Sequence, residues 1–350
     1  MSIPASNTAK LPGTISPVNA KPVAGPWKRM LRTNTLWILA VDILLIVLFT
    51  ALSINHTFIS ATNLRNLATD SSEALLLGIA IAFLLGAGEF DISLGSNLIL
   101  ASVVGGMTAG AIGDEHAVLA GIVAAAVAIL AGILVGCVNG FIVTFMRVNS
   151  LIATLAMLGI VTGVAYIVSN GTDVTGVPSG LQDGFGLKQI LGVPLPAIVS
   201  VVAWLIAWLM LRYTRFGMHL LALGSSRTAA ERAGLRARRK IITLFIVGGA
   251  LAGMAGFIDI TRFGATNIAG HTQDSLAAIT AAVIGGTLLT GGVISIPGLL
   301  CGVALAVILA NGLIVVGLSS YYQLIVVGLV LIIAVWLDTF RRAENVQFIR

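Results

Sequence analysis

Apolar residues fall along this chain in long blocks, parted by short polar or charged stretches. A helix needs about 20 mostly apolar residues to cross a bilayer. The pattern predicts about ten such spans, over 36–54, 72–88, 96–112, 117–137, 151–169, 195–211, 241–260, 276–293, 297–317 and 322–338. No residue from Ser275 to Leu337 is charged. That stretch suits three spans, with Gly291-Gly292 and Ser319-Ser320-Tyr321-Tyr322 as the breaks. Residues 1–35 are mostly polar and carry Trp27, Lys28, Arg29 and Arg32 near their end. This predicts a disordered tail followed by an interfacial anchor. Residues 339–350 form a second tail. The expected fold class is an all-α polytopic membrane protein, with its transmembrane domain over 36–338.

Composition agrees with the pattern. Hydrophobic residues make up 57% of the chain and charged residues 10%, against about 25% charged in soluble domains. With the N-terminus in the cytoplasm, the 20 Lys and Arg residues lie on the inner side except Arg65, Lys188 and Arg262. Lys and Arg collect on cytoplasmic flanks, so both termini and the loop over 212–240 are expected there. The net charge of +6 thus sits at membrane borders, which excludes a nucleic-acid footprint. Cys137 and Cys301 lie inside apolar runs and read as small hydrophobes. His56, His116, His219 and His271 are scattered, with no Cys or second His at ligand spacing, so no metal or cofactor site is expected.

Several polar groups interrupt the spans. Gly88-Glu89-Phe90-Asp91-Ile92-Ser93-Leu94-Gly95 sets two carboxylates and a hydroxyl between apolar helices. Charge at membrane depth is costly and tends to face a polar path or pair within the bundle. Asp91 and Ser93 also suit caps for a helix whose first turn is Leu94 to Asn97, and one role does not exclude the other. Asp42 is the one charge in the first span, placed for snorkelling or pairing. Asn139 and Asn311 sit at span ends, as caps or as hydrogen-bonding groups for a hydroxylated solute. Thr154 and Thr287 join them as polar positions on a translocation path or gate, together with Asp91, Ser93 and Asn97. Asn139-Gly140 and Asn311-Gly312 match, as do Ala87-Gly88-x-x-Asp91 and Ala255-Gly256-x-x-Asp259. Inverted five-helix repeats of the kind transporters use and chance matching in small-residue helices both account for this.

The basic loop is the one large soluble surface. It holds Arg212, Arg215, Arg227, Arg232, Arg236, Arg238, Arg239 and Lys240 against a single acid, Glu231. Inside it Gly224 to Leu235 reads as a short Ala-rich helix, expected between spans six and seven. The chain has no phosphate-binding Gly-x-x-x-x-Gly-Lys-Ser/Thr loop, no His-Glu-x-x-His and no nucleophile elbow. It is therefore not expected to hydrolyse ATP or to act as an enzyme.

Four segments carry a resemblance that runs from about Phe58 to Asp338. They are Asp91-Ile92-Ser93-Leu94-Gly95; Ile152-Ala153-Thr154-Leu155 with Ser169-Asn170-Gly171; Ala222 to Leu235; and Ile284-Gly285-Gly286-Thr287 with Gly291-Gly292, Asn311-Gly312 and Ser319 to Gln323. The chain resembles the membrane permease subunit of ribose-type bacterial ABC sugar importers. The resemblance implies a dimer of permeases in the inner membrane, working by alternating access. It implies two cytoplasmic ATP-binding subunits beneath the dimer and a periplasmic sugar-binding protein above it. It makes Gly224, Arg227, Ala229, Ala230, Glu231, Arg232 and Gly234 the segment that seats in the ATPase cleft. Two positions depart from the family. Ser226-Arg227 stands where members often have Asn and an acid, and Gly292 is followed by Val293-Ile294 where many have Lys-Gly. Two rivals share the composition. One is a stand-alone secondary transporter coupled through Asp42, Glu89 or Asp91. The other is an ABC permease for an amino acid or a cofactor.

Overall fold

The structure, a computed structural model, describes residues 34–319 and, beyond them, Tyr322, Ile325, Val326, Gly328, Leu329, Ile332 and Ile333. The two expected tails lie outside the described residues, apart from Asn34 and Thr35, and so does most of the span expected over 322–338. Among the described residues the fold is all-α but for one hairpin of two two-residue strands. Helix α1 (Asn34–Leu52) is followed by α2 (Ala61–Gly86), α3 (Leu94–Ile112), α4 (Ala117–Thr144) and α5 (Ser150–Val168). A loop then carries the single-turn α6 (Ser179–Leu181) and strands β1 (Gln189–Ile190) and β2 (Val193–Pro194), which pair antiparallel with Ile190 opposite Val193. Helices α7 (Leu195–Tyr213), α8 (Arg215–Ser225), α9 (Arg227–Arg232), α10 (Ala237–Phe263), α11 (Asp274–Ile284) and α12 (Ile296–Val315) follow.

Among the described residues, 8 helices are long and apolar enough to cross a membrane. The span expected over 276–293 is not one of them. It is α11, of 11 residues, which at ~1.5 Å per residue reaches about half of a ~30 Å hydrocarbon core. Gly285-Gly286 ends it, with Gly286 at φ 101°, and an apolar loop returns to α12. A hydropathy window does not separate a half-length helix with an apolar loop from a full span. The second span differs in the other direction. It starts at Ala61, where the Ser60 hydroxyl accepts from the Asn63 amide at 3.2 Å. Arg65, Asp70 and Glu73 keep that first half out of an apolar window.

The inner helices are α2, α3 and α10, and α2 is closed on every side from Leu75 to Leu85. A helix apolar all round belongs in such a place. Glycines set the contact of α4 with α10. A Cβ added at Gly132 would fall 2.1 Å from the Gly249 carbonyl, and one at Gly136 would fall 2.2 Å from that of Phe245. With no side chains between them, the backbones approach closely, as small-residue helix pairs in membranes do. Helices α1, α5 and α7 instead leave Leu44, Val47, Ile152, Ile167, Val202 and Ile206 exposed. Of the two repeated motifs, Asn139 and Asn311 both fall in the last turns of their helices. Asp91 lies in a turn while Asp259 lies inside α10, so that match pairs unlike local structures.

Candidate functional site

The basic loop folds as a helical elbow. Chain direction changes at Thr214 and again at Ser226, both extended. The Ser226 hydroxyl accepts from the Ala229 amide at 3.3 Å and starts α9. Gly234, at φ 86°, ends it. Its amide donates to the Glu231 carbonyl and that of Leu235 to the Ala230 carbonyl, both at 3.0 Å, the left-handed glycine stop of a helix. Arg227, Thr228, Ala229, Glu231, Arg232, Ala233 and Gly234 are exposed. Ala230 is not. It is 5% exposed and packs on Leu223 and Ala237. It therefore fastens α9 to the chain's own neighbouring helices, and the outward small surface is Ala229 and Ala233.

Gly224 also faces inward. A Cβ there would meet the Gly86 carbonyl at 1.9 Å and the Gly292 amide at 2.4 Å. The Gly292 amide itself donates to the Gly86 carbonyl at 3.0 Å. Three backbones thus meet: the end of α2, the end of α8 and the loop between α11 and α12. The departure after Gly292 has a local reason, since the Ile294 side chain lies over Gly86.

Beside this junction Arg227 reaches Glu89 and Glu231, each at 3.5 Å. Burial pushes the Glu89 carboxyl above its ordinary range, against the opposing pull of the Ser150 hydroxyl and the Arg227 charge. These groups border a cleft of about 770 Å³, lined also by Arg147, Asn149, Ser150 and Arg238.

Five of the expected path residues meet where α2 turns into α3. Asp91 Oδ1 accepts from the Ser93 amide at 2.9 Å and the Ser93 hydroxyl at 2.6 Å. Asn139 Nδ2 donates to Ser93 Oγ at 2.8 Å and to Asp91 Oδ2 at 3.2 Å. Thr154 Oγ1 accepts from the Ile92 amide, and Ser150 Oγ from that of Phe90, both at 3.1 Å. Asn97 Nδ2 donates to the Gly132 carbonyl at 3.2 Å. Capping is thus of a different kind from that expected. Ser93 holds the cap position without a side-chain cap bond, while Asp91 closes an Asx turn on the residue two ahead. All five residues are buried, and none lines the cleft. Thr287 and Asn311 lie apart from them. Thr287 Oγ1 accepts from the Ser295 amide at 3.4 Å, and Asn311 Oδ1 from Asn63 Nδ2 at 2.9 Å. Asp42 neither snorkels nor pairs among the described residues, being 4% exposed with Oδ1 unbonded.

Sequence reasoning passed over a second polar group. His271 approaches Asp259 and Asp274, and Arg262 approaches Asp70 and Glu73. Asp70 with Glu73 and Asp259 with Arg262 are each one helical turn apart. That spacing was the available signal.

Comparison with known proteins settles the family. The model of the family described as branched-chain amino acid transport system / permease component matches residues 63–335. The chain belongs to this permease family. The permease is 35% identical to the ribose import permease protein of Escherichia coli K12 over 298 residues, 84% of this chain and 91% of that one. It is 34% identical to the ribose import permease protein of Bacillus subtilis over 83% of this chain and 88% of the relative. With an L-arabinose ABC transporter permease protein of Azospirillum brasilense it shares 32% over 95% and 94% of the two chains. No solved structure matches. The matched range takes in the polar turn, the glycine junction and α9 of the permease.

Proposed function

We propose that this permease is the membrane subunit of an ATP-binding cassette importer that moves a monosaccharide or polyol into the cytoplasm. The observation that carries the reading is its near full-length likeness to permeases named for ribose, L-arabinose, D-allose and galactose. The family description names branched-chain amino acids, but these relatives are sugar permeases. In this reading α9 docks in a cytoplasmic ATPase through Ala229, Ala233, Arg227, Glu231 and Arg232. A second permease copy or paralogue completes the path, and a periplasmic protein delivers the sugar. The termini and the basic loop face the cytoplasm of the inner membrane.

Alternating access then has a physical route. Closure of the ATPase pair shifts α9 and α8. The Gly224 contact and the Arg227–Glu89 pair pass the shift to the end of α2, and the Asp91 turn, held by Ser93, Asn139 and Thr154, opens or closes as a unit. The test is uptake of labelled ribose and arabinose into proteoliposomes holding the permease, its ATPase and its binding protein. The reading expects uptake that needs ATP and survives an uncoupler. Uptake without ATPase that collapses with the uncoupler would favour the secondary-transport rival, and uptake of leucine but no sugar would favour the amino-acid one.

A further inference from the structure

Away from the coupling end, four elements bring acids and an imidazole together. Helix α2 supplies Asp70 and Glu73, α3 supplies Ser102, and α10 supplies Asp259 and Arg262. His271 comes from the connection to α11, and Asp274 from the first turn of α11. One oxygen of Glu73, one of Asp259 and a ring nitrogen of His271 lie within 4.8 Å of one another. Each has its surroundings arranged. Asp274 Oδ2 lies 2.7 Å from His271 Nδ1. On the other side of the ring His271 Nε2 lies 3.2 Å from Asp259 Oδ1. The Ser102 hydroxyl donates to Asp259 Oδ2 at 2.9 Å, which turns Oδ1 toward the ring. Arg262 is held by Asp70, and its other terminal nitrogen stays 4.0 Å from Glu73 Oε1.

Two facts point to a missing cation. Glu73 and Asp259 are 8% and 1% exposed. Glu73 Oε1 is buried without a hydrogen bond among the described residues, and Asp259 Oδ1 has only His271 Nε2 beside it. Buried carboxylate oxygens without partners are costly. Arg262 pairs with Asp70, which leaves the carboxyl groups of Glu73, Asp259 and Asp274 gathered around one imidazole. A divalent ion among them offsets two carboxylate charges. The imidazole held by a carboxylate and the carboxylate held by a hydroxyl are the outer-shell arrangement that orients metal ligands.

We propose that Glu73, Asp259 and His271 bind one divalent transition-metal ion of the zinc class, with water completing a tetrahedral shell. One nitrogen and two oxygens suit that ion. The three donors close in to about 3.3 Å apart, the edge of a tetrahedron with bonds of ~2 Å. A cavity of about 170 Å³ bordered by Asp70, Glu73 and Asp274 supplies the route in. The bound ion ties the start of the half-length α11 to α2 and α10. This site is independent of which solute the permease carries.

The test uses the full chain in detergent, stripped by chelator and titrated with Zn²⁺, and with Co²⁺ for its visible absorption. Wild type is expected to bind one Zn²⁺ per chain, to show tetrahedral Co²⁺ bands and to melt at higher temperature with metal. Loss of an outer-shell partner costs about 10–100-fold in affinity, which is the expectation for Ser102→Ala. Glu73→Gln and Asp259→Asn are expected to lose more than that. Asp91→Asn is expected to bind like wild type. Should Glu73→Gln fail to fold, Ser102→Ala and Asp259→Asn still decide. Absence of stoichiometric Zn²⁺ binding, binding unchanged in Asp259→Asn, or binding abolished by replacing the exposed His56 and His116 would each overturn the proposal.

Discussion

Asp91 accepts from Ser93 twice and from Asn139 once, so its carboxylate is the acceptor that holds the α2–α3 turn. Asn at this position keeps one acceptor oxygen and Ala keeps none, which strands buried donors at ~1–3 kcal/mol. Asp91→Asn is expected to retain part of its transport, and Asp91→Ala to lose more, along with several degrees of melting temperature in detergent. Equal loss in two folded variants would mean that the charge itself is needed. The two alanines of α9 separate in the same way. Ala229→Trp adds a ring on the exposed face and is expected to leave the permease stable while its ATPase no longer co-purifies. Ala230→Trp overfills the contact with Leu223 and Ala237, at ~1–3 kcal/mol, so its melting temperature is expected to fall as well. Retention of the ATPase by Ala229→Trp would remove α9 from the docking surface. The sequence marked both alanines as small but not which faced outward, because a six-residue helix has too few positions to show a period.

At the scale of elements, the α4–α10 pair is set by backbone approach. Gly132→Val and Gly249→Val would each force a Cβ against a carbonyl 2.1 Å away. Overpacking of this kind costs ~1–3 kcal/mol or more, to be read as a loss of folded protein in a detergent melt. Gly159 in α5 has nothing near a new Cβ, so Gly159→Ala is expected to match wild type or gain up to ~1 kcal/mol of helix stability. A fall at Gly159 equal to that at Gly132 would undo the distinction. The apolar runs were legible as helices because each had the length and hydropathy of a span. Helix α11 was not, since nothing in an uncharged run reports where a helix stops except glycines that also serve packing. The charged half of α2 escaped for the opposite reason: Asp70 and Glu73 break the window, yet the structure meets Asp70 with Arg262 and buries Glu73.

For the whole molecule, the charge pattern implies an orientation. Lys188 and Arg236 are both exposed. Single cysteines at these sites, probed on intact cells with an impermeant reagent, are expected to label at 188 and stay dark at 236. The reverse would invert the membrane placement. The fold class and family were legible in the chain, because hydropathy and the four motif segments survive without knowledge of contacts. Long-range partners were not, since the link from Arg227 to Glu89, like that from His271 to Asp259, exists only once distant helices have packed. The meeting of Gly86, Gly224 and Gly292 is the most consequential of these contacts. A joint between side chains has give, because rotamers adjust before backbones do. This one has no rotamers to adjust. A displacement of α8 cannot be absorbed there and is handed on whole, to α2 and to the loop after α11 at once. The fold has built, from three residues without side chains, a lever with no slack.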